Sequence, residues 1–93
     1  MKEGIARENI QKAIEAKDLL KNPVLVNAFE SIKEELLNFI ENSTPDQSQE
    51  REEAYHQLHA LKTVNLKINK VIDDGKIAEK VLEGMEQNNN HLN

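Results

Sequence analysis

Apolar side chains recur three or four positions apart along most of the chain, which is the spacing of one buried helix face. Three such segments can be traced, at about 2–21, 23–41 and 45–84, and none of them shows the alternation of a strand. The first is the weakest, because Lys17 interrupts its narrow stripe of Ala6, Ile10, Ala13, Ile14 and Leu20. The pattern predicts an all-α fold.

The second segment carries the clearest amphipathic stripe in the chain. Its members are Leu25, Ala28, Phe29, Ile32, Leu36, Phe39 and Ile40. Val26 and Leu37 fall beside this stripe. We therefore expect the helix to keep some apolar surface for a second contact.

The third segment keeps a seven-residue phase over most of its length. The phase is held by Ala54, Leu61, Ile68 and Leu82, with Leu58, Val64, Val71, Ala78 and Met85 at the intermediate positions. Gly75 occupies the same phase, where a perfect repeat would place a large apolar residue. Because the phase continues beyond it, we expect one long helix with a tolerated weak point at Gly75, costing about 1 kcal/mol relative to alanine.

Two proline-containing sequences mark helix starts. Asn22-Pro23 supplies an N-cap followed by proline at the first helical position, where the missing N–H has no consequence. Thr44-Pro45-Asp46-Gln47 predicts a capping box, with Thr44 as the cap and Gln47 reaching back to it. These sequences separate the three predicted helices.

The predicted lengths restrict how the helices can pack. The third helix would be roughly 58 Å long, about twice the roughly 28 Å of the second. The first and second helices, bent at Asn22-Pro23, would together match the third. We therefore predict a kinked antiparallel helical hairpin of two shorter helices against one long helix. Such a hairpin has a one-sided core and buries its other face in an oligomeric bundle or ring.

The chain of 93 residues suffices for one domain, which we place at 1–86. We expect a flexible tail at 87–93, because the sequence after Met85 is polar and low in complexity. A chain of this size buries only about 60–65% of the surface that its unfolded form exposes. Phe29, Phe39 and Tyr55 are the only aromatic residues, so we predict a thin core of leucine, isoleucine and valine.

The composition excludes several classes of protein. The chain has no cysteine, so disulfides and thiolate metal sites are ruled out, and a reducing compartment is favoured. It has neither a run of about 20 apolar residues nor a signal-peptide pattern, so we expect a cytoplasmic protein without a membrane partner. The net charge of −5 argues against nonspecific nucleic-acid binding. Residues 30–53, with eight acids and two bases, are the most acidic part.

Catalysis has little support in the residues. Nucleophile, base and acid do not occur in a recognisable arrangement, and three separate glycines cannot form a phosphate-binding loop. Glu53, His56 and His59 resemble the Glu-x-x-His half of a carboxylate metal site. Measured from Leu61, however, both histidines lie about 140–160° away from the core direction. We therefore expect no enzyme activity, metal or cofactor, and interpret this stretch as a solvated face.

The outer side of the third helix carries a mixed strip in which Tyr55, His59, Lys62 and Leu66 repeat at intervals of four, three and four. Tyrosine and histidine combine an apolar body with a polar tip, which suits an interface. Asn65 lies on the apolar stripe, where a lone polar residue can set register or oligomeric state. Tyr55, His59, Leu66 and Asn65 are therefore our candidate contacts between copies, the alternatives being exposed side chains without a role and a hydrated Asn65.

A second candidate surface is basic. Lys62, Lys67, Lys70, Lys76 and Lys80 lie within nineteen residues, and a ring of copies would multiply their effect. Acidic residues at 73, 74, 79 and 83 would neutralise much of this field. These lysines support an alternative function, a nucleic-acid-binding packaging factor. The chain shows no helix-turn-helix pattern with a short recognition helix.

Three stretches together carry a resemblance to a known group of proteins: LLKNPVLVNAF, STPDQSQEREEAYHQLHALKTV and IDDGKIAEK, which span Leu19 to Lys80. The chain resembles small helical proteins encoded by tailed bacteriophages and prophage-like elements near their head and DNA-packaging genes. In these a Leu-Leu-x-x-Pro helix is followed by a capped Arg-Glu helix. The resemblance implies a homo-oligomeric role in particle assembly or genome packaging in the host cytoplasm, for example as a small-terminase-like ring. It transfers no functional residue.

Overall fold

The computed structural model describes the backbone of residues 1–92 and the side chains of residues 1–87. This part of the chain is all-α, as predicted. Helix α1 spans Glu3–Lys21, α2 spans Pro23–Asn42 and α3 spans Ser48–Leu92, with a single 3-10 turn at Pro45–Gln47 before α3. Both proline-containing sequences lie at helix starts, as predicted. A helix cap depends only on the few residues next to it, so it can be recognised in the sequence.

The end of α3 differs from the prediction. The helix continues through Gly84 to Leu92, because Gly84 does not adopt the left-handed conformation with which glycine ends a helix. A glycine with helical backbone angles only weakens a helix and does not stop it. The flexible tail predicted at 87–93 falls mainly on residues whose side chains lie outside the described part, and it stays a prediction.

The chain divides into two compact units. Unit 1 contains residues 1–20 together with the chain from Lys67 onward, so that α1 packs against the C-terminal part of α3. Unit 2 is Lys21–Leu66 and contains α2 with the N-terminal part of α3. Each unit is a helix pair with its own interior. The single domain over 1–86 stays a prediction.

Unit 1 is held together by very small residues. Its buried side chains are Ala6, Ala13, Ala16 and Ala78, and Gly75 is buried with them. A Cβ atom added at Gly75 would overlap the Cβ of Ala13 and would lie 3.2 Å from the Asn9 carbonyl oxygen. The backbones of α1 and α3 therefore approach closely at Gly75. Helix α3 continues through Gly75, as predicted, but the interpretation of this glycine as only a weak point was wrong, because the missing side chain is what permits this contact.

The same close approach explains which α1 residues are buried. Ile14, predicted in the stripe, is 47% exposed, whereas Ala16, outside the predicted stripe, is buried. Two helices that come this near have room only for small side chains between them. Larger apolar residues such as Ile14 and Leu19 are displaced to the flanks and stay exposed. Burial between α1 and α3 in unit 1 therefore depends more on the size of a side chain than on its hydrophobicity.

Unit 2 has a looser interior. Ala54 is buried, and the side chains around it are half-buried: Leu25, Phe29, Leu36 and Ile40 of α2, with Leu58 and Leu61 of α3. Ile32 and Phe39 belong to the predicted stripe of α2 but are exposed. One facing helix cannot cover so wide an apolar arc. Among the described side chains, the buried apolar ones in both units are all alanines, so the core is thin, as predicted, but its most buried members are smaller than we expected.

The start of α2 is capped by Asn22. Its side-chain oxygen accepts hydrogen bonds from the backbone N–H of Val24 at 2.9 Å and of Leu25 at 3.3 Å. Pro23 follows at the first helical position. The cap therefore satisfies N–H groups that have no partner within the helix.

We expect Asn22→Ala to lower the free energy of unfolding by about 1 kcal/mol, because the alanine leaves these N–H groups without the side-chain acceptor. Urea titration followed by circular dichroism measures the change. Asn22→Asp retains the acceptor oxygen and serves as the matched control, with a smaller loss expected. An Asn22→Ala variant as stable as the wild type would contradict this role.

The connection between α2 and α3 is tied together by several local hydrogen bonds. The predicted capping box forms, with the Gln47 side-chain oxygen accepting from the Thr44 N–H at 2.9 Å. The Thr44 hydroxyl donates to Asp46, and this bond, with Arg51 nearby, holds the pKa of the Asp46 carboxyl below its usual value. Arg51 also donates to the Ser43 hydroxyl at 3.0 Å and to the Thr44 carbonyl. A connection this short makes α2 and the start of α3 antiparallel neighbours.

Candidate functional site

The outer strip of α3 in unit 2 consists of Tyr55, His59, Lys62 and Leu66, and we call it the α3 strip. Tyr55 is 57% exposed and Leu66 is 60% exposed. The first three members each follow an inward-facing residue by one position, namely Ala54, Leu58 and Leu61. One residue is a rotation of about 100°, so the α3 strip lies beside the seam with α2. The structure thus places these candidate residues on one accessible surface.

The aromatic side chains of the α3 strip contact one another. The ring centroids of Tyr55 and His59 are 5.7 Å apart and their planes meet at 67°, the edge-to-face arrangement. The Tyr55 and His56 rings are 6.1 Å apart in a similar arrangement. Edge-to-face pairs are favourable because the positive ring edge meets the negative ring face. Tyr55 and His59 therefore form a continuous patch with an apolar body and polar tips.

The Glu53, His56 and His59 stretch is also exposed along α3. The His56 Nε2 atom lies 3.7 Å from an oxygen of Glu52, one helical turn earlier, and both side chains face solvent. Among the described residues, no group of three or more histidine, aspartate or glutamate side chains is placed to hold a metal ion. The histidines are instead arranged around Tyr55.

Asn65 is exposed. Within unit 2 it therefore does not lie in the interior between α2 and α3. A register-setting role for Asn65 would have to be exercised in a contact with another chain, and it stays a prediction.

A second strip lies on α2, and we call it the α2 strip: Val26, Glu30, Lys33 and Leu37. Its spacing of four, three and four is the same as that of the α3 strip. All four side chains are exposed, including the apolar Val26 and Leu37. The sequence already showed that Val26 and Leu37 lie beside the main stripe of α2. What it did not suggest is that Glu30 and Lys33 complete a strip like that of α3, although the repeated spacing was available as a signal.

The α2 and α3 strips lie on the same face of unit 2. Each α2 strip residue follows a residue of the predicted α2 stripe by one position, as Val26 follows Leu25 and Leu37 follows Leu36. The residues of the α3 strip likewise follow the inward-facing residues of α3 by one position, so both strips are rotated from the contact between the helices in the same direction along their own chains. Antiparallel helices are viewed from opposite ends, so equal rotations bring side chains to the same side of the pair. This face of unit 2 therefore exposes apolar residues of both helices, Val26 and Leu37 of α2 with Tyr55 and Leu66 of α3.

Unit 1 has a shallow open groove beside the contact of α1 with α3. Apolar side chains form its floor, Leu19 of α1 with Ile68 and Val71 of α3, and Lys12 and Glu15 lie at its rim. Its wide opening does not enclose a ligand. The groove is the flank left uncovered where α1 and α3 approach closely.

The lysines of the alternative surface do not converge in unit 1. Lys67 and Lys76 are nine residues apart on α3, which places them on opposite sides of the helix at about 100° per residue. Lys70 forms an ion pair with Asp74 at 2.9 Å. Lys80 is exposed near the acidic Glu79 and Glu83, and Lys62 belongs to the α3 strip in unit 2. Nucleic-acid contact through these lysines stays a prediction.

Two further findings concern the chain as a whole. None of the described helices is both long enough and apolar enough to span a lipid bilayer. Comparisons with protein-family models, with curated proteins and with solved structures found no match to this chain.

Proposed function

We propose that the protein is a non-enzymatic, homo-oligomeric assembly or adaptor protein that works by presenting helix faces to further copies of itself. The observation that carries the proposal is its exposed surface. The chain exposes 7357 Å². A typical folded monomer of its mass, 10.6 kDa, exposes only about 5,500 Å², so the excess is about 1,900 Å².

An excess of this size is comparable with a protein interface. A standard interface buries about 800 Å² on each partner, and obligate homodimers often bury more. Much of the exposed surface is apolar, with Ile5 and Ile14 in unit 1 and Val26, Leu37 and Leu66 in unit 2 among the exposed side chains. Burial of such side chains between copies would supply hydrophobic stabilisation that the thin interiors of the two units do not provide.

The α3 strip is the surface that we assign to the contact. Tyr55 and Leu66 are its exposed apolar members, and the edge-to-face pair of Tyr55 with His59 reduces the side-chain freedom that would be lost on binding. Asn65 lies next to Leu66, and we assign to it the register of a contact between copies. These residues are the candidate oligomer contacts.

The biological setting that we propose is phage-type particle assembly or genome packaging in the host cytoplasm. The support for this setting is the sequence resemblance between Leu19 and Lys80. It suggests phage structural or packaging proteins as further partners. In either process the protein would act by occupying surfaces and setting distances between other components.

The oligomeric state in solution tests the proposal. Size-exclusion chromatography with multi-angle light scattering is expected to give a mass that is a multiple of the 10.6 kDa chain at micromolar concentration. Dilution should shift the mass toward that of one chain, because association depends on concentration. A protein that has the mass of one chain at every micromolar concentration tested would contradict the proposal.

A further inference from the structure

We infer that two copies of unit 2 pair through the face that carries both strips, so that the α2 strip of each copy covers the α3 strip of the other. The product is a two-fold symmetric, antiparallel four-helix bundle. The inference rests on the proposed homo-oligomeric function and adds to it the covering surface, the symmetry and the register. Three observations in unit 2 and one on the whole chain support it.

The first observation is the register of the two strips. Helix α2 ends at Asn42 and α3 begins at Ser48, so residues in the two antiparallel helices whose numbers sum to about 90 lie at the same level, to within about 3 Å. A two-fold axis parallel to the helices preserves these levels in the second copy. The four pairs formed by the α2 strip and a second α3 strip each sum to 92: Val26 with Leu66, Glu30 with Lys62, Lys33 with His59, and Leu37 with Tyr55.

The second observation is the chemistry of these pairs. Val26 meets Leu66 at one end of the contact and Leu37 meets Tyr55 at the other, so apolar side chains cover apolar side chains. Glu30 meets Lys62, which is a pair of opposite charge. By symmetry each pair occurs twice in the bundle. Three of the four pairs are therefore complementary in this antiparallel register, and the fourth, Lys33 with His59, adds no contact of opposite charge. A parallel register would place Lys33 against Lys62.

The third observation is the opposite face of unit 2, which serves as an internal comparison. It also exposes apolar side chains, such as Phe39 and Val64, but its charged members Glu35 and Glu53 are both acidic. The same register would place Phe39 against Glu53 of a second copy. Unit 2 carries eight acids and four bases, a net charge of −4. The opposite face has no lysine to pair with the acidic residues of a second copy, whereas the face that carries the two strips has Lys33 and Lys62.

The fourth observation is the amount of surface available. An antiparallel four-helix bundle buries two seams between the copies, in addition to the seam within each unit. The whole chain, with both units together, exposes about 1,900 Å² more than a typical monomer of its mass, and a standard interface needs only about 800 Å² on each partner. A second copy is thus an occupant of sufficient size for the exposed face.

Aspartate substitutions on the two faces of α3 test which face is buried. Leu66→Asp places a charge in the proposed contact, and Val64→Asp places the same charge on the opposite face, where Val64 is 46% exposed. Leu66→Asp is expected to raise the dissociation constant at least about 100-fold, since removing a buried apolar contact and burying a charge are among the larger interface effects. Val64→Asp is expected to leave it nearly unchanged. Circular dichroism checks that both variants keep their helices.

Charge exchange tests the register without disturbing the apolar contacts. Glu30→Lys and Lys62→Glu each create two like-charge contacts per bundle and are expected to weaken association about fivefold, whereas the double variant restores it to within about twofold of the wild type. Glu35→Lys makes the same change in net charge on the opposite face and should not weaken association. Sedimentation velocity or light scattering over a dilution series provides the dissociation constants.

The outcomes separate this inference from the proposed function. A wild-type protein that is monomeric at every concentration overturns both. An oligomeric wild type whose association is insensitive to Leu66→Asp, or more sensitive to Val64→Asp, overturns the inference and leaves the proposed function standing. If the double variant of Glu30→Lys and Lys62→Glu associates more weakly than either single variant, the proposed register is wrong. The bundle would be supported by three results together. Leu66→Asp weakens association, Val64→Asp does not, and the double charge exchange restores the association that each single exchange weakens.

Discussion

Replacing Gly75 with alanine is expected to lower the free energy of unfolding by up to about 2 kcal/mol, although alanine is the better helix former. The added Cβ would overlap the Cβ of Ala13, which belongs to the backbone frame of α1 and cannot rotate away. Helices α1 and α3 of unit 1 would have to separate, and overpacking of this kind costs about 1–3 kcal/mol, offset by about 1 kcal/mol of helix propensity. Urea unfolding followed by circular dichroism measures the difference.

Gly84 provides the matched control on the same helix. A Cβ added there meets no described atom within 4 Å, so Gly84→Ala should stabilise the protein by about 0.5–1 kcal/mol through helix propensity alone. The two substitutions are thus expected to have opposite signs. Gly75→Ala that stabilises to the same extent as Gly84→Ala would show that α1 and α3 do not approach closely at Gly75.

A compensating substitution locates the effect of Gly75→Ala at the contact with α1. Ala13→Gly removes the Cβ that the new alanine would meet, at a cost of about 1 kcal/mol in helix propensity. The double variant should therefore lose less stability than the sum of the two single variants, because the residues touch. Additive losses would place the effect of Gly75→Ala elsewhere.

This contact between α1 and α3 marks a limit of what the sequence predicts. A repeat of apolar positions indicates which face of a helix is inward, and Ala6, Ala13 and Ala78 were assigned in this way. The repeat carries no information on the distance between two helices. That distance decides whether Gly75 is a weakness or a requirement and whether Ile14 or Ala16 is buried. The closer two helices approach, the more the size of a side chain decides whether it is buried between them.

The helix starts could be predicted because, unlike the distance between α1 and α3, they depend on local interactions. The side chain of Asn22 bonds to N–H groups two and three positions later, and Gln47 bonds to Thr44 three positions earlier. Such interactions depend on neighbouring residues only and can be recognised without knowledge of the packing. The end of α3 was less predictable, because Gly84 either caps a helix or continues it according to its backbone conformation.

The candidate site was predicted in part. The spacing of Tyr55, His59, Lys62 and Leu66 indicated a second usable face of α3, and the structure places these residues on an accessible surface of unit 2. The corresponding strip on α2 was not recognised, because Glu30 and Lys33 look like ordinary solvated residues when α2 is considered alone. Their significance depends on the antiparallel pairing with α3, which brings Val26 and Leu37 to the same face as Tyr55 and Leu66.

The thermal midpoint of unfolding is expected to rise with protein concentration, because association adds stability to a chain whose two units have thin interiors. For a dimer that unfolds to two free chains, each tenfold increase in concentration adds about 1.4 kcal/mol to the stability. With an unfolding entropy of about 0.2 kcal/mol/K for each chain of 93 residues, the midpoint should rise by about 3–4 °C per tenfold step and by about 7 °C over a hundredfold range. Differential scanning calorimetry and circular dichroism together cover that range.

Leu66→Asp distinguishes coupled folding and association from a concentration effect of another origin. Because it prevents the proposed contact while leaving the interiors of both units unchanged, its midpoint should be lower than that of the wild type and should not depend on concentration. Val64→Asp should retain the concentration dependence of the wild type. A wild-type midpoint that stays constant over a hundredfold range would show that two-helix units with such thin interiors are stable alone. In that case the exposed apolar face would not be needed for folding, and its role would lie in recognition only.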